Sequence, residues 1–385
     1  MVNKLESKFL KLYNVKPDAI FRAPGRVNLI GEHIDYNGGK VLPAAISLYT
    51  YVCVRKREDS VIRLASDSFN DEILETNLNN ISFNKEVDWV NYPIGLIDTL
   101  RKLNKEITSG LDLYFYSEIP LGSGLSSSAS ILIVTLYMLN SMFSLGLSNE
   151  DLVRISTKSE REFNGLTCGI MDEASIALAK EGYALYLDTN DFTYSYEPID
   201  LGDYCLAILK TNKTRKLTES KYNERVKECN DALLLVKRYS NVDKIINFKK
   251  EDLNFLIKHD IVLSRRATHV VQENERVEQF VRSFKEGNIL KCGSLLNESH
   301  ASLKSLYEVT GEHLDVITEL ARNQKGCLGS RMTGAGFGGC AIALVHKSAK
   351  KDFEKNIVEG YLKKFGFVPE IIFTNLAGGP TKLSK

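Results

Sequence analysis

The feature that most constrains the fold is a long stretch without charge in the first half of the chain. No Asp, Glu, Lys or Arg lies between Glu118 and Glu150. Within this stretch, residues 129–147 are mostly apolar and long enough to span a bilayer. They include five Ser, Thr or Asn residues, and the flanking charges are acidic rather than basic. We therefore predict a helix at the centre of a large soluble core, and no membrane span.

Length and composition agree with this prediction. With 385 residues the chain is too long for one ordinary core and fits two domains. Apolar residues make up 43% and charged residues 26%, values that exclude a disordered or fibrous protein. Lys and Arg (50) balance Asp and Glu (49), so the formal net charge is +1. This balance indicates neither a nucleic-acid surface nor a polybasic membrane anchor.

The seven cysteines are scattered along the chain and form no C-x-x-C pair. This spacing predicts free, mostly buried thiols rather than a disulfide framework or a structural zinc site. Residues 1–12 contain no continuous apolar segment of the kind found in signal peptides. We therefore expect a location in the reducing cytoplasm.

The apolar pattern predicts helices and strands that are interspersed without regular alternation, which favours an α+β fold. A domain boundary is expected at residues 188–202, where the periodicity lapses. The predicted strands are 49–55, 112–116, 184–187, 204–209, 340–345 and 371–373, and the predicted helices are 128–143, 149–164 with Ser148 as N-cap, and several between 219 and 320.

A glycine- and serine-rich loop, PLGSGLSSSAS at residues 120–130, follows a predicted strand and opens the central helix. Glycines allow a tight turn, and the free N–H groups at the start of a helix bind anions. The loop lacks the Gly-Lys-Ser/Thr of a Walker P-loop, so it predicts a different kind of triphosphate site. The simpler alternative is a turn before a well-capped helix.

A second glycine-rich loop occupies residues 333–339 and formally matches G-x-G-x-x-G. A dinucleotide-binding fingerprint must open a helix, whereas this loop runs into the predicted strand 340–345. Two interpretations remain: a tight hairpin, or a loop whose backbone packs against a ligand or against the first loop.

A third segment, residues 22–39, concentrates Arg26, Glu32, His33, Asp35 and Asn37 within twelve positions. This density of hydrogen-bonding groups suits a polyhydroxylated ligand, because each hydroxyl needs a donor or an acceptor. A solvated loop is the alternative interpretation.

Together these segments resemble the galactokinases, within the GHMP superfamily of galactokinase, homoserine, mevalonate and phosphomevalonate kinases. GRVNLIGEHIDYNGG at 25–39 is similar to the sugar signature of that family, PLGSGLSSSAS to its nucleotide loop and RMTGAGFGGCAIALV at 331–345 to its C-terminal glycine loop. CGIMDE at 168–173, SKYNER at 220–225, RRATHVVQENERV at 265–277 and YEVT at 307–310 also match in order. The resemblance extends over nearly the whole chain.

Three positions depart from the family pattern. Ile34 stands where Thr is usual, Thr167 where Pro is usual, and Glu173 where Gln follows the Asp. These departures bear on fine sugar preference and leave the reactive groups in place.

The resemblance implies a fold and a set of site residues. The implied fold has an N-terminal domain similar to the second domain of ribosomal protein S5 (1–195), then a ferredoxin-like domain (196–385). Asp172 would accept the proton of the sugar hydroxyl, and Arg26 would keep that carboxylate ionised and stabilise the transferring phosphoryl group. Ser128 and Glu160 would hold Mg²⁺. Sugar binding is implied for Glu32, His33, Ile34, Asp35 and Tyr222, and nucleotide binding for Ser66, Gly122, Ser123, Gly124, Leu125, Ser126, Ser127 and Ser128.

The implied activity is transfer of the γ-phosphate of ATP to the anomeric hydroxyl of D-galactose, by a monomer that uses Mg²⁺. Two alternatives stay open: a related sugar 1-kinase, for example one acting on N-acetylgalactosamine, and a catalytically silent relative that acts as a sensor of sugar and ATP. The intact nucleotide loop, with Arg26 and Asp172, argues against a catalytically silent protein.

Overall fold

The computed structural model describes residues 1–166, 168–213 and 218–384. The strands are β1 (Ala19–Asn28), β2 (Lys40–Val41), β3 (Pro43–Lys56), β4 (Val61–Ser66), β5 (Leu74–Asn77), β6 (Leu111–Ser117), β7 (Tyr183–Asp188), β8 (Thr193–Pro198), β9 (Tyr204–Lys210), β10 (Cys327–Thr333), β11 (Cys340–His346), β12 (Glu370–Thr374) and β13 (Thr381–Ser384). The α-helices are α1 (Val2–Tyr13), α2 (Asn91–Lys102), α3 (Ser127–Phe143), α4 (Asn149–Glu162), α5 (Met171–Ala177), α6 (Thr218–Lys237), α7 (Lys250–His259), α8 (Ile261–Lys285), α9 (Ile289–Ser302), α10 (Gly311–Arg322) and α11 (Lys350–Phe365).

The apolar helix α3 lies at the centre of the N-terminal half, as predicted. It packs against β1 and β3 on one side and against α2, α4 and α5 on the others. Such surroundings explain why its sequence is apolar almost all round. Within the described ranges, no helix has the length and apolar character needed to cross a membrane.

A six-stranded sheet, in the order β13-β1-β3-β6-β4-β5, forms the platform under α3. The pairing of β1 with β3 shifts register between Pro24 and Gly25, which marks a β-bulge. A Cβ at Gly25 would lie 2.9 Å from the carbonyl oxygen of Leu125, so only glycine lets the nucleotide loop approach the strand this closely. This approach brings the next residue, Arg26, beside the loop.

The C-terminal half contains an antiparallel sheet, in the order β10-β11-β9-β12, together with helices α6 to α11. The chain then returns to the N-terminal half, because β13 pairs with β1. The predicted boundary at 188–202 contains a strand, β8, which pairs with β7. Most β8 side chains are exposed, so the apolar alternation that identifies a strand is absent there. The domain limits 1–195 and 196–385 stay a prediction.

The predicted helices and strands are otherwise present, and the α+β class is confirmed. The sequence prediction missed α1, α2, β2, β4, β5, β10 and β13, and it gave residues 22–28 as a loop, whereas they belong to β1. Helix α4 begins at Asn149 with a capping box formed by Ser148 and Asp151. Strand β3 starts six residues before the predicted position 49. Its first residues, PAAISL, include Pro and Ala, which are depleted in strands. All seven cysteines are free thiols.

Candidate active site

Most of the predicted site residues line one cavity of 460 Å³ to which both halves of the molecule contribute. Among the predicted residues in its lining are Arg26, Glu32, His33, Asp35, Gly122, Gly124, Ser126, Ser127, Ser128, Glu160, Asp172 and Tyr222. Four predicted residues lie outside this lining: Ile34, Ser66, Ser123 and Leu125. The chain thus brings groups from the sugar segment, the nucleotide loop and CGIMDE to one place.

Ile34 packs inside the sugar segment and does not line the cavity. Its side chain is fully buried and packs on Gly39, where an added Cβ would lie 2.8 Å from Ile34 Cδ1. Its carbonyl accepts hydrogen bonds from the N–H groups of Asn37 and Gly39. Its predicted contact with the sugar stays a prediction.

The nucleotide loop bends sharply before α3. Gly122 and Gly124 have φ of 64° and 83°, and Ser126, the N-cap residue, has φ of 59°. Ser123 is buried within the loop, and the buried Leu125 accepts a hydrogen bond from the Arg26 N–H at 3.2 Å. The unpaired N–H groups at the start of the 17-residue helix therefore face the cavity as an anion site.

Arg26 and Asp172 form a bidentate ion pair at the cavity wall. Arg26 Nε donates to Asp172 Oδ1 and Nη2 to Oδ2, each at 2.7 Å. The third nitrogen, Nη1, donates to the carbonyl of Gly124 at 2.7 Å. Burial opposes the charge on Arg26, but Asp172 and Glu32 outweigh it and raise the pKa of Arg26. The guanidinium thus joins the CGIMDE carboxylate to the nucleotide loop.

Ser126 adds a third donor to this carboxylate, which the sequence did not indicate. Its Oγ lies 2.5 Å from Asp172 Oδ2. The Asp172 side chain still keeps 34% of its surface exposed. The carboxylate is therefore held in place and remains open to a ligand in the cavity.

His33 is buried and lies at one end of a chain of hydrogen bonds. Its Nε2 is 3.2 Å from the carbonyl of Ala335, which can only accept, so Nε2 carries the proton. Nδ1 then accepts from the Tyr36 hydroxyl at 2.9 Å. Tyr36 in turn contacts the Tyr307 hydroxyl at 2.9 Å, and Tyr307 contacts Cys229 Sγ at 3.0 Å. Burial lowers the pKa of His33 to about 3, so this imidazole is neutral.

Asp35 lies near two other acidic groups. Burial, and next the charges of Asp172 and Glu32, raise the pKa of Asp35 to about 7. A side chain at position 169 would overlap the Asp35 carboxylate, so Gly169 lets CGIMDE pass beside it. A carboxylate placed among like charges binds hydrogen-bond donors readily, and sugar hydroxyls are such donors.

Glu32 lines the cavity and also forms hydrogen bonds between the two halves. Its Oε1 accepts hydrogen bonds from Arg331 Nη2 at 3.2 Å, Thr333 Oγ1 at 2.9 Å and the Gly334 N–H at 2.7 Å. Arg331 is fully buried and also donates to the carbonyls of Asn28 and Leu29. Sequence reasoning placed Glu32 against the sugar and missed this second role.

Tyr222, on α6, closes the sugar side of the cavity. Its ring centroid lies 5.8 Å from that of His33 and 5.5 Å from that of Tyr36. Burial, and next the charge of Asp35, raises the pKa of Tyr222 well above its ordinary range. The phenol is therefore a neutral hydroxyl beside the rings of His33 and Tyr36.

A second cavity, of 230 Å³, adjoins the first at the start of α3. Tyr92, Ser127 and Ser128 line both cavities. The second also contains Ser66 and the rings of Phe69 and Trp89, which are stacked with centroids 5.6 Å apart. Sequence reasoning missed these rings, although Trp89 is the only tryptophan in the chain.

The predicted metal ligands Ser128 and Glu160 both line the first cavity. A hydroxyl and a carboxylate are oxygen donors that fit Mg²⁺. Glu160 is also close to Cys168 and Glu173, since one ligand atom of each lies within 4.8 Å of the others. Burial, and next Glu160, raises the pKa of Glu173 well above its ordinary range. Thr167, a noted departure from the family pattern, lies outside the described residues.

The loop at 333–339 connects β10 to β11 and packs on the nucleotide loop, so both remaining interpretations hold. Gly334 has φ of 83°, and an added Cβ would lie 2.7 Å from the carbonyl oxygen of Gly124. At Gly336 an added Cβ would overlap the carbonyl of Val309. The loop leads into a strand, which confirms that it is no dinucleotide fingerprint.

Models of three families match the chain in order. Residues 7–56 match the galactokinase galactose-binding signature, 91–180 the GHMP kinases N terminal domain, and 280–363 the GHMP kinases C terminal. Among solved structures, galactokinase from Lactococcus lactis complexed with galactose matches with a TM-score of 0.94 and 39% identity over 99% of this chain and 100% of its own. Mevalonate kinase from Methanococcus jannaschii has a TM-score of 0.68 at 24% identity, covering 93% of this chain and 98% of its own, a likeness in fold alone.

Curated relatives match at full length. The galactokinase of Clostridium tetani is 44% identical over 98% of this chain and 97% of its own. That of Streptococcus suis is 42% identical over 99% of both chains. The sugar segment, the nucleotide loop and the Arg26–Asp172 pair thus lie in a chain whose whole length follows these relatives. This chain belongs to the galactokinase family of GHMP kinases and is an ATP-dependent sugar kinase.

Proposed function

We propose that this chain transfers the γ-phosphate of ATP to the anomeric hydroxyl of D-galactose, giving galactose 1-phosphate and ADP. The observation that carries the proposal is the Arg26–Asp172 pair, held between the nucleotide loop and the sugar segment in one cavity. The two neighbouring cavities offer separate places for a polar sugar and for a nucleotide base.

Asp172 accepts the proton of the anomeric hydroxyl as that oxygen attacks phosphorus. Arg26 fixes the orientation of this carboxylate, because two of its nitrogens donate to Asp172. Nη1 contacts the nucleotide loop through Gly124, so the same cation is near the charge that develops on the transferring phosphoryl group. These roles require positioning and electrostatics, with no covalent intermediate.

The sugar is held by Asp35, His33 and Tyr222, with Glu32 at the contact between the halves. His33 is neutral and fixed by the hydrogen-bond chain from Tyr36, so its ring orientation is set before the sugar arrives. Such preorganisation reduces the entropy lost on binding.

The phosphates lie at the start of α3, and the base lies in the second cavity against Trp89 and Phe69. Ser66 and Tyr92 contribute polar groups there. Ser128 and Glu160 would hold Mg²⁺, and the ion would supply positive charge to neutralise the phosphate oxygens. We also propose a cytoplasmic location, which the free thiols support, and a monomeric state.

Consumption of ATP over a panel of sugars tests the proposal. We expect D-galactose to be the best substrate, with ADP and a sugar 1-phosphate formed in equal amounts. Preference for N-acetylgalactosamine would assign a related sugar kinase instead. Binding of galactose and ATP without turnover would indicate a sensor.

A further inference from the structure

Two carboxyl groups and one thiol lie close together in the first cavity. They belong to Glu160, a proposed magnesium ligand at the end of α4, and to Cys168 and Glu173 in the CGIMDE segment. One ligand atom of each lies within 4.8 Å of the others. We infer that these three residues form a binding site for a borderline divalent cation such as Zn²⁺, which fills without sugar or nucleotide. The inference rests on the proposed function only in that Glu160 is shared with the Mg²⁺ site.

The cluster holds two acidic side chains and no basic one. The Glu173 side chain is fully buried, and neither of its carboxyl oxygens has a hydrogen-bond partner outside this cluster. Over 1–166, 168–213 and 218–384, no ion pair joins Glu160 or Glu173 to a basic residue. Arg26, the nearby buried cation, is bonded to Asp172. Two buried carboxyl groups without a basic partner are costly to place side by side, and a bound cation removes that cost.

The backbone around the cluster keeps its parts together. Arg161, the neighbour of Glu160, donates through Nε at 3.1 Å and Nη2 at 2.6 Å to the carbonyl of Cys168. The Leu166 N–H donates to the carbonyl of Glu160 at 3.2 Å. The end of α4 is therefore tied to CGIMDE at the position where the three ligand atoms meet.

The donor set indicates which cation fits. Thiolate and carboxylate ligands together suit Zn²⁺ and Co²⁺, whereas Mg²⁺ takes oxygen ligands only. Ligand atoms of a tetrahedral Zn²⁺ site are about 3.3–3.8 Å apart at the usual bond lengths. The 4.8 Å limit therefore leaves about 1 Å for side chains to close. Cys168 is only half-buried, so a hydrated ion can reach it and release the thiol proton to solvent.

An amide at position 173 carries no charge for a cation. Glu173→Gln is therefore a conservative test that keeps shape and removes one anionic ligand. Cys327, the other half-buried thiol, provides the matched control for Cys168.

The experiment is an anaerobic titration of the full-length, metal-stripped protein with Co²⁺, followed by absorption. We expect a near-ultraviolet thiolate-to-cobalt band that saturates at one equivalent, is abolished by Zn²⁺ and persists in excess Mg²⁺. Cys168→Ser should remove the band, Glu173→Gln should weaken Co²⁺ binding by about tenfold or more, and Cys327→Ser should change neither.

Absence of the band in the unaltered protein, its survival in Cys168→Ser, or equal Co²⁺ affinity in Glu173→Gln would each overturn the inference. ATP-dependent phosphorylation of galactose with Mg²⁺ is measured on the same preparation. Activity without the band refutes the cation site alone, and the band without galactose phosphorylation refutes the proposed function alone.

Discussion

Asp172 combines firm placement with access to the cavity. Two nitrogens of Arg26 and the hydroxyl of Ser126 fix its two oxygens, yet part of the carboxylate faces the cavity. Arg26 is itself fixed by the Gly124 carbonyl. A carboxylate held in this way loses little entropy when a ligand hydroxyl arrives.

Asp172→Asn should lower kcat by about 10² or more, the scale expected when a general base is lost. The amide nitrogen would also face the Arg26 donors, so the pair is broken as well. Calorimetry should show that galactose and nucleotide still bind. As a control, Asp231→Asn alters an exposed acid paired with Lys227 and should leave kcat unchanged. A normal kcat in Asp172→Asn would refute the assignment of the base.

Asp35 predicts a pH-dependent stability for the ligand-free protein. Its pKa rises from 3.8 to about 7 on folding, so the folded state binds the proton more tightly than the unfolded state. Stability should therefore fall as pH rises from about 4 to 7, and the loss is complete above that range.

Asp35→Asn should remove this loss. Above pH 7 the variant should melt at a higher temperature than the unaltered protein, by about 2 °C for each 1 kcal/mol regained. At pH 4 the two should melt alike. The sugar KM should rise, because an amide replaces a charged acceptor. The opposite pH trend in thermal melts would contradict the raised pKa.

The site residues that could be predicted are those that lie in a short segment where several charged or hydrogen-bonding residues occur together. Arg26 and Asp172 lie in motifs that point to phosphoryl transfer. Trp89 and Phe69 were missed because a lone aromatic residue is more often core, and only the fold shows that these rings line a cavity beside α3. Ser126 was predicted as a phosphate contact, but its bond to Asp172 joins residues 46 positions apart.

At the scale of elements, two glycine-rich loops from different halves are packed backbone to backbone. Gly334 lies against Gly124, and Gly124 is the residue whose carbonyl holds Arg26. The position of β10 is therefore linked through these loops to the Arg26–Asp172 pair. Sequence patterns predicted each loop, but the patterns of β8 and of the start of β3 were too weak, because exposed or small residues leave no apolar alternation.

Gly334→Ala tests this packing. The added Cβ would lie 2.7 Å from the Gly124 carbonyl, so one loop must move. We expect kcat to fall about tenfold or more, since small displacements of positioning groups are costly. Gly146→Ala is the control, because Gly146 also has a positive φ, of 69°, but open space around its Cβ.

The control should lose only about 1–2 kcal/mol of stability from backbone strain, with kcat unchanged. Equal kcat values for Gly334→Ala and Gly146→Ala would mean that strain alone matters and that the loops do not position the site.

At the scale of the whole molecule, the two halves are joined by a buried ion pair and by a C-terminal strand that pairs in the N-terminal sheet. β13 from the C-terminus completes the N-terminal sheet, and the buried Arg331 on β10 reaches the carbonyls of Asn28 and Leu29. Glu32 provides the counter-charge to Arg331. The sequence resemblance could place Glu32 near the sugar, but no local pattern reveals a partner about 300 residues away.

Glu32→Gln separates the two roles of this residue. Glutamine keeps an oxygen acceptor for Thr333 and Gly334 but removes the charge that compensates Arg331. Loss of one partner of a buried ion pair costs about 3–5 kcal/mol, so the melting temperature should fall by several degrees.

Glu278→Gln is the matched control, because Glu278 pairs with Lys40 at 2.7 Å across the halves but at the surface. There the cost should be about 0–1 kcal/mol. If instead Glu32→Gln melts like Glu278→Gln while its sugar KM rises sharply, then Glu32 acts on the sugar and the halves are held together by other contacts.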